Sequence, residues 1–120
     1  TEQDVERLLQ NAGIIRHRGK IEATINNAKQ VQAIIDEFGS LARYFWQYEV
    51  QPDNSITPQT QSTCSESIAL SKDFKKRGWK FVGATTMYAL MQAMGLVNDH
   101  VEGCHSRAKV VKARRAFVKP

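Results

Sequence analysis

Apolar residues recur at helical spacing along most of the chain, and no alternation of period two is sustained anywhere. A first stripe follows Thr1, a residue that can cap a helix, and stops at Gly13, which suits the left-handed position that ends one. A second and longer stripe predicts a helix from about residue 17 to residue 38. The predicted architecture is therefore all-α.

The second half of the chain continues this pattern. Residues 41–49 predict a third helix with an aromatic face, whereas residues 50–65 are mostly polar, contain two prolines and predict a loop. A further helix is expected to start near residue 65 and end in the basic run before Gly78. Residues 83–95 hold methionines at helical spacing and predict a buried helix whose methionines fill the core.

Composition adds a size, a broad class and an uneven charge. A chain of 120 residues with 42% hydrophobic and 24% charged residues fits one globular domain. No segment approaches the apolar length of a membrane helix, and two cysteines fit a reducing, cytoplasmic setting. Residues 105–120 hold six of the 17 basic residues and no acidic one, leaving 11 basic against 12 acidic residues in 1–104. Such a basic tail predicts a solvated, mobile end, with polyanion binding as the alternative.

One candidate site is the turn between the first two predicted helices, in the segment LLQNAGIIRHRGKIEATI. A glycine-bearing turn before a helix exposes backbone N–H groups, which bind phosphate well, and three basic side chains surround it. The segment resembles a helix-hairpin-helix that holds the DNA backbone without selecting a base sequence. The alternative is an ordinary turn between helices with solvated basic residues. The candidate DNA-binding residues are Gly13, Arg16, His17, Arg18, Gly19 and Lys20.

A second candidate site is the pair His100 and Cys104. An imidazole and a thiolate four residues apart can reach one metal ion, and nitrogen with sulfur favours zinc. A structural zinc site needs four ligands, and Cys64 in the predicted loop is a further possible donor. The alternative is a surface histidine and a free thiol. Nucleotide-binding signatures are absent from the sequence, so no nucleotide cofactor is expected.

Two long segments resemble the 3-methyladenine DNA glycosylase I family: DVERLLQNAGIIRHRGKIEATINNAK and ALSKDFKKRGWKFVGATTMYALMQAMGLVNDHVEGC. The resemblance implies a helix-hairpin-helix glycosylase that hydrolyses the bond between 3-methyladenine and deoxyribose in alkylated double-stranded DNA, without lyase activity. It also implies that His100 and Cys104 are two of four ligands of a structural zinc ion. The turn from Gly13 to Lys20 matches the family's DNA-backbone element.

The resemblance also implies missing parts. The family begins with a further portion of the domain that this sequence lacks, including two zinc ligands and the residues that bind the damaged base. We therefore expect residues 1–104 to be the C-terminal two-thirds of the family's domain, and residues 105–120 to be a basic tail. The chain alone is expected to be inactive, and the complete protein to be cytoplasmic and monomeric. A non-catalytic helix-hairpin-helix module that only binds DNA is the alternative.

Overall fold

The computed structural model describes residues 1–51 and 58–120, and in these ranges it contains helices, turns and no strand. The all-α prediction is confirmed, while the predicted loop at 50–65 lies partly outside the described residues. No helix in the described ranges is long and apolar enough to cross a bilayer. The helices are α1 (Glu2–Leu9), α2 (Arg18–Phe38), α3 (Leu41–Trp46), α4 (Ser65–Lys76), α5 (Ala84–Met94) and α6 (His105–Ala116).

Helix α1 begins after Thr1, as predicted, but it does not end at Gly13. The Thr1 hydroxyl accepts the backbone N–H of Asp4, and the Asp4 carboxylate reaches back to the Thr1 backbone as a capping box. The helix ends through Gln10, which keeps a right-handed conformation. Gly13 is outside the left-handed region, so its predicted role as a left-handed cap is wrong. Its N–H instead donates to the Asn11 side chain at 2.9 Å.

The core lies between α2, α3, α4 and α5. The methionine stripe is confirmed as core filling, because Met87 and Met91 are buried. The Tyr44 ring packs against Phe74 at 5.4 Å between centroids, and its hydroxyl donates to the Asp73 carboxylate at 2.6 Å. This side-chain packing anchors α3 on α4.

Polar side chains fix the connector between α4 and α5. Asn26 donates to the Gly78 carbonyl, and Asn27 both accepts the Lys80 N–H and donates to the Lys80 carbonyl. The buried Ser71 hydroxyl donates to the Val82 carbonyl at 2.6 Å. These bonds satisfy backbone groups that lack helical partners and hold the connector against α2.

The basic C-terminal segment differs from its prediction as a mobile end, since most of it forms α6. The Arg114 guanidinium makes a two-pronged ion pair with Glu49, which follows α3. Phe117 packs on Trp46 with ring centroids 4.9 Å apart. Composition predicted a solvated tail because it cannot show that Glu49 and Trp46, which are distant in the sequence, contact this segment.

Candidate nucleic-acid interface

The start of α2 is built from three of the predicted residues. The His17 ring Nδ1 accepts the Lys20 N–H at 3.1 Å, so His17 is the N-cap of α2. A Cβ on Gly19 would lie only 3.0 Å from the His17 ring, so glycine makes room for the imidazole. The backbone N–H groups of Arg18 and Gly19 precede the first helical acceptors and point out of the helix end.

The Arg18 side chain does not extend from this helix end as a free cation. It forms ion pairs with Glu2 and Glu6 of α1 and with Glu22 of α2. Hydrogen bonds to these three carboxylates raise the pKa of Arg18. Arg18 therefore fixes α1 against α2, and three acidic groups compensate its charge. Arg16, by contrast, is exposed and forms no ion pair with any described residue.

The connector between α4 and α5 lies beside the start of α2, and the sequence pattern did not predict this contact. A cavity of about 540 Å³ is lined by Lys20 together with Lys80, Phe81 and Gly83 of the connector before α5. No side chain caps the N-terminus of α5, and a Cβ on Gly83 would meet nothing within 4 Å. The site thus combines two lysines with an open helix N-terminus, an arrangement that favours an anion.

Phe81 is the most unusual residue of this turn. Its φ is +57°, a left-handed conformation uncommon for a residue other than glycine, and its side chain is 61% exposed. A lysine three residues before Gly83, which precedes a helix without a capping side chain, is the sequence feature that could have predicted this turn. The hydrogen bonds from Asn26 and Asn27 hold this connector beside Lys20.

The two predicted metal ligands lie on the turn that precedes α6. His100 is exposed and Cys104, the N-cap of α6, is half-buried. No group of three or more metal-binding side chains forms within residues 1–51 and 58–120. Cys64 belongs to the hydrophobic core, where burial raises the pKa of its thiol, and it adds no third ligand there. Within the described residues, His100 and Cys104 thus gain no third candidate ligand.

A cleft of about 580 Å³ separates α6 from the ends of α3 and α5, with Trp46, Met94 and Asp99 among its lining residues. Asp99 is buried, but its carboxylate accepts the Gln59 N–H at 3.0 Å and the Gln92 side-chain amide at 3.1 Å. Both carboxylate oxygens accept hydrogen bonds, so Asp99 links the segment at Gln59 to α5 and is not available as a free base.

These features define a helical protein in which Lys20 and Lys80 line a cavity beside the uncapped N-terminus of α5. The family model for methyladenine glycosylases matches residues 1–108, and the chain belongs to that family. Over 107 residues it is 50% identical to DNA-3-methyladenine glycosylase 1 of Escherichia coli, a match covering 86% of this chain and 57% of the relative.

Solved structures agree with this assignment. A crystal structure of 3-methyladenine DNA glycosylase I matches with a TM-score of 0.75 and 48% identity, over 88% of this chain and 60% of that one. The Staphylococcus aureus enzyme, solved to explain its recognition of 3-methyladenine, matches with a TM-score of 0.78 and 30% identity, covering 89% and 59%. The chain therefore has their helical fold and spans less than two thirds of their length.

Proposed function

We propose that the chain contributes the DNA-holding part of a glycosylase that removes 3-methyladenine from alkylated double-stranded DNA. Membership of the methyladenine glycosylase family over residues 1–108 is the observation that carries this proposal. The family match also favours the glycosylase over a module that binds DNA without chemistry. A cytoplasmic location and a monomeric complete protein stay predictions.

The DNA backbone would lie across the starts of α2 and α5. Lys20 and Lys80 line one cavity there, and the open N-terminus of α5 offers backbone N–H groups to a phosphate. Gly13, Arg16, His17 and Gly19 precede Lys20 in the chain and would extend this surface towards α1. Arg18 would serve it indirectly, because its ion pairs hold α1 in place.

The reaction needs little acid catalysis by the protein. A base methylated at N3 is already cationic, so its bond to the sugar is weak once the nucleotide is extruded from the duplex. The carbon–nitrogen bond breaks and the base leaves with its electron pair as neutral 3-methyladenine. Water forms the new bond to the sugar carbon and loses a proton to solvent. No residue of this chain is assigned to the reacting atoms.

We further propose that His100 and Cys104 hold zinc in the longer protein. Zinc would supply structural stability there, since a closed four-ligand site leaves no position for substrate. The nitrogen and sulfur donors suit this metal, and the remaining two ligands would come from the length of the relatives that this chain does not span. His100→Ala and Cys104→Ser should each lower the zinc content and thermal stability of the longer protein.

Binding of this chain to a fluorescent duplex of about 20 base pairs tests the DNA surface. The variant with Lys20→Gln and Lys80→Gln should bind more weakly, and the negative slope of log K against log salt should become shallower by about 2 units. The matched control carries Lys29→Gln and Lys72→Gln, which remove two exposed charges elsewhere. Equal losses in both variants would contradict the proposed surface.

A further inference from the structure

The C-terminal helix α6 has one side that holds it to the rest of the protein. Arg107, Val110 and Arg114 are spaced i, i+3, i+7 and are half-buried. Arg107 pairs with Glu102 at 3.3 Å, and Arg114 pairs with Glu49. The Arg114 guanidinium also lies 5.3 Å from the centre of the Trp46 ring. The basic residues of this side are therefore engaged.

The opposite side of α6 carries a separate set of cations. Lys109, Lys112 and Arg115 are exposed, and none of them forms an ion pair with a described residue. No acidic residue occurs from 105 to 120 to compensate their charge. Their i, i+3, i+6 spacing places them within about a third of the helix circumference, over a length of about 9 Å.

We propose that Lys109, Lys112 and Arg115 form a second contact of this protein with the phosphate backbone of duplex DNA. Duplex DNA carries one negative charge per about 1.7 Å of its axis, so a 9 Å row of cations faces about five phosphates. The contact is independent of base sequence. It rests on the proposed function for the identity of DNA as the partner, but it uses residues outside the stretch 1–108 that matches the family.

The docking contacts explain why this side of α6 presents its charge effectively. The Glu49 ion pair and the packing of Phe117 on Trp46 fix the helix backbone before any ligand binds. A basic tail without structure would lose backbone entropy on binding, whereas a docked helix has already lost it. Only the three long side chains remain to be ordered.

The test compares two variants of the 120-residue chain with equal loss of charge. The first carries Lys109→Gln, Lys112→Gln and Arg115→Gln. The control carries Lys29→Gln, Arg43→Gln and Lys72→Gln, at three exposed positions of other helices that form no ion pair with the described residues. Glutamine is a good helix former, and circular dichroism verifies that helix content is retained. Affinity for the fluorescent duplex is measured between about 50 and 200 mM salt.

We expect the α6 variant to reduce the steepness of the negative slope of log K against log salt by about 2 to 3 units and to weaken binding at least about tenfold. The control should change both far less. Equal changes in the two variants would overturn the inference, because net charge alone would then explain them. Binding to phosphatidylserine vesicles is measured for the same variants. An α6 variant that loses vesicle binding but keeps its affinity for DNA would also overturn the inference.

The same measurements separate this inference from the proposed function. If the α6 variant loses affinity and the variant of Lys20 and Lys80 does not, the second contact stands and the surface at α2 and α5 fails. The reverse result keeps that surface and removes the second contact.

Discussion

At the scale of single residues, His17 and Gly19 act as a pair. The imidazole caps α2 without crowding because Gly19 has no Cβ, which would lie 3.0 Å from the ring. A histidine is an uncommon cap, since only the unprotonated ring nitrogen can accept the Lys20 N–H. The pair therefore fixes both the start of α2 and the position of Lys20.

Replacement of His17 tests the cap. His17→Ala removes the acceptor and should lower the free energy of unfolding by about 1 kcal/mol. His17→Asn supplies another acceptor of suitable length and should restore most of that loss. Urea unfolding followed by circular dichroism measures both variants. Equal stability of the alanine and asparagine variants would show that the hydrogen bond contributes nothing.

Arg77 joins the end of α4 to the end of α2. It pairs with Glu37 of α2 at 2.8 Å and with Asp73 at 2.8 Å, and its guanidinium lies 5.4 Å from the centre of the Phe38 ring. Burial acts to raise the pKa of Asp73, but hydrogen bonds from Tyr44 and Arg77 outweigh it and lower that pKa.

We expect Arg77→Ala to destabilise the protein by about 2 kcal/mol, because a half-buried carboxylate loses a charged donor. Arg77→Lys should recover only part of this, since an ammonium cannot bridge two carboxylates and cover a ring in the same geometry. Thermal unfolding of both variants is the measurement. Full recovery with lysine would show that charge alone matters.

At the scale of helices, the sequence was enough to predict a helix wherever that helix has its own capping residue or an apolar stripe. The start of α1 and the methionine stripe of α5 follow from residues within those helices. The docking of α6 and the position of the connector between α4 and α5 depend on contacts distant in the sequence. Arg114 meets Glu49 across 65 residues, and Asn27 meets Lys80 across 53. Periodicity and composition contain no information about such pairs.

The docking of α6 should depend on pH through Glu49. Hydrogen bonds from Arg114 hold the pKa of Glu49 below its ordinary value of 4.5. Its stabilising contribution is therefore complete above pH 4.5 and is lost as the pH falls through the lowered pKa. The fluorescence of Trp46 should report the undocking in a Trp79→Phe background. Glu49→Gln should remove this acid transition, and an unchanged transition would assign it to another group.

At the scale of the whole molecule, the described chain is elongated. Its radius of gyration is 16.7 Å, against about 14 Å for a compact domain of this length. The extents are 48 × 34 × 25 Å, and a cleft of about 580 Å³ lies beside α6. The core of the described chain nevertheless buries Phe45 of the aromatic face and Met91 of the methionine stripe.

We expect the 120-residue chain alone to release no 3-methyladenine from methylated duplex DNA. Within the described residues, the buried Asp99 carboxylate is engaged by Gln59 and Gln92, and no group of three or more metal-binding side chains forms. Chromatography of the released bases measures the outcome, with the Escherichia coli relative as the positive control. Robust release by this chain would place a complete base pocket within it.

The ion pairs of Arg18 have a consequence for local unfolding. Helix α1 fully buries a single side chain, Val5, so the exposed ion pairs of Arg18 with Glu2 and Glu6 add to a small apolar contact with the rest of the protein. Salt screens such pairs. The amide hydrogens of α1 should therefore exchange with solvent faster than those of α4, and rising ionic strength should accelerate the exchange in α1 alone. Each opening of α1 leaves Arg18 with Glu22 as its remaining partner and adds positive charge beside Lys20.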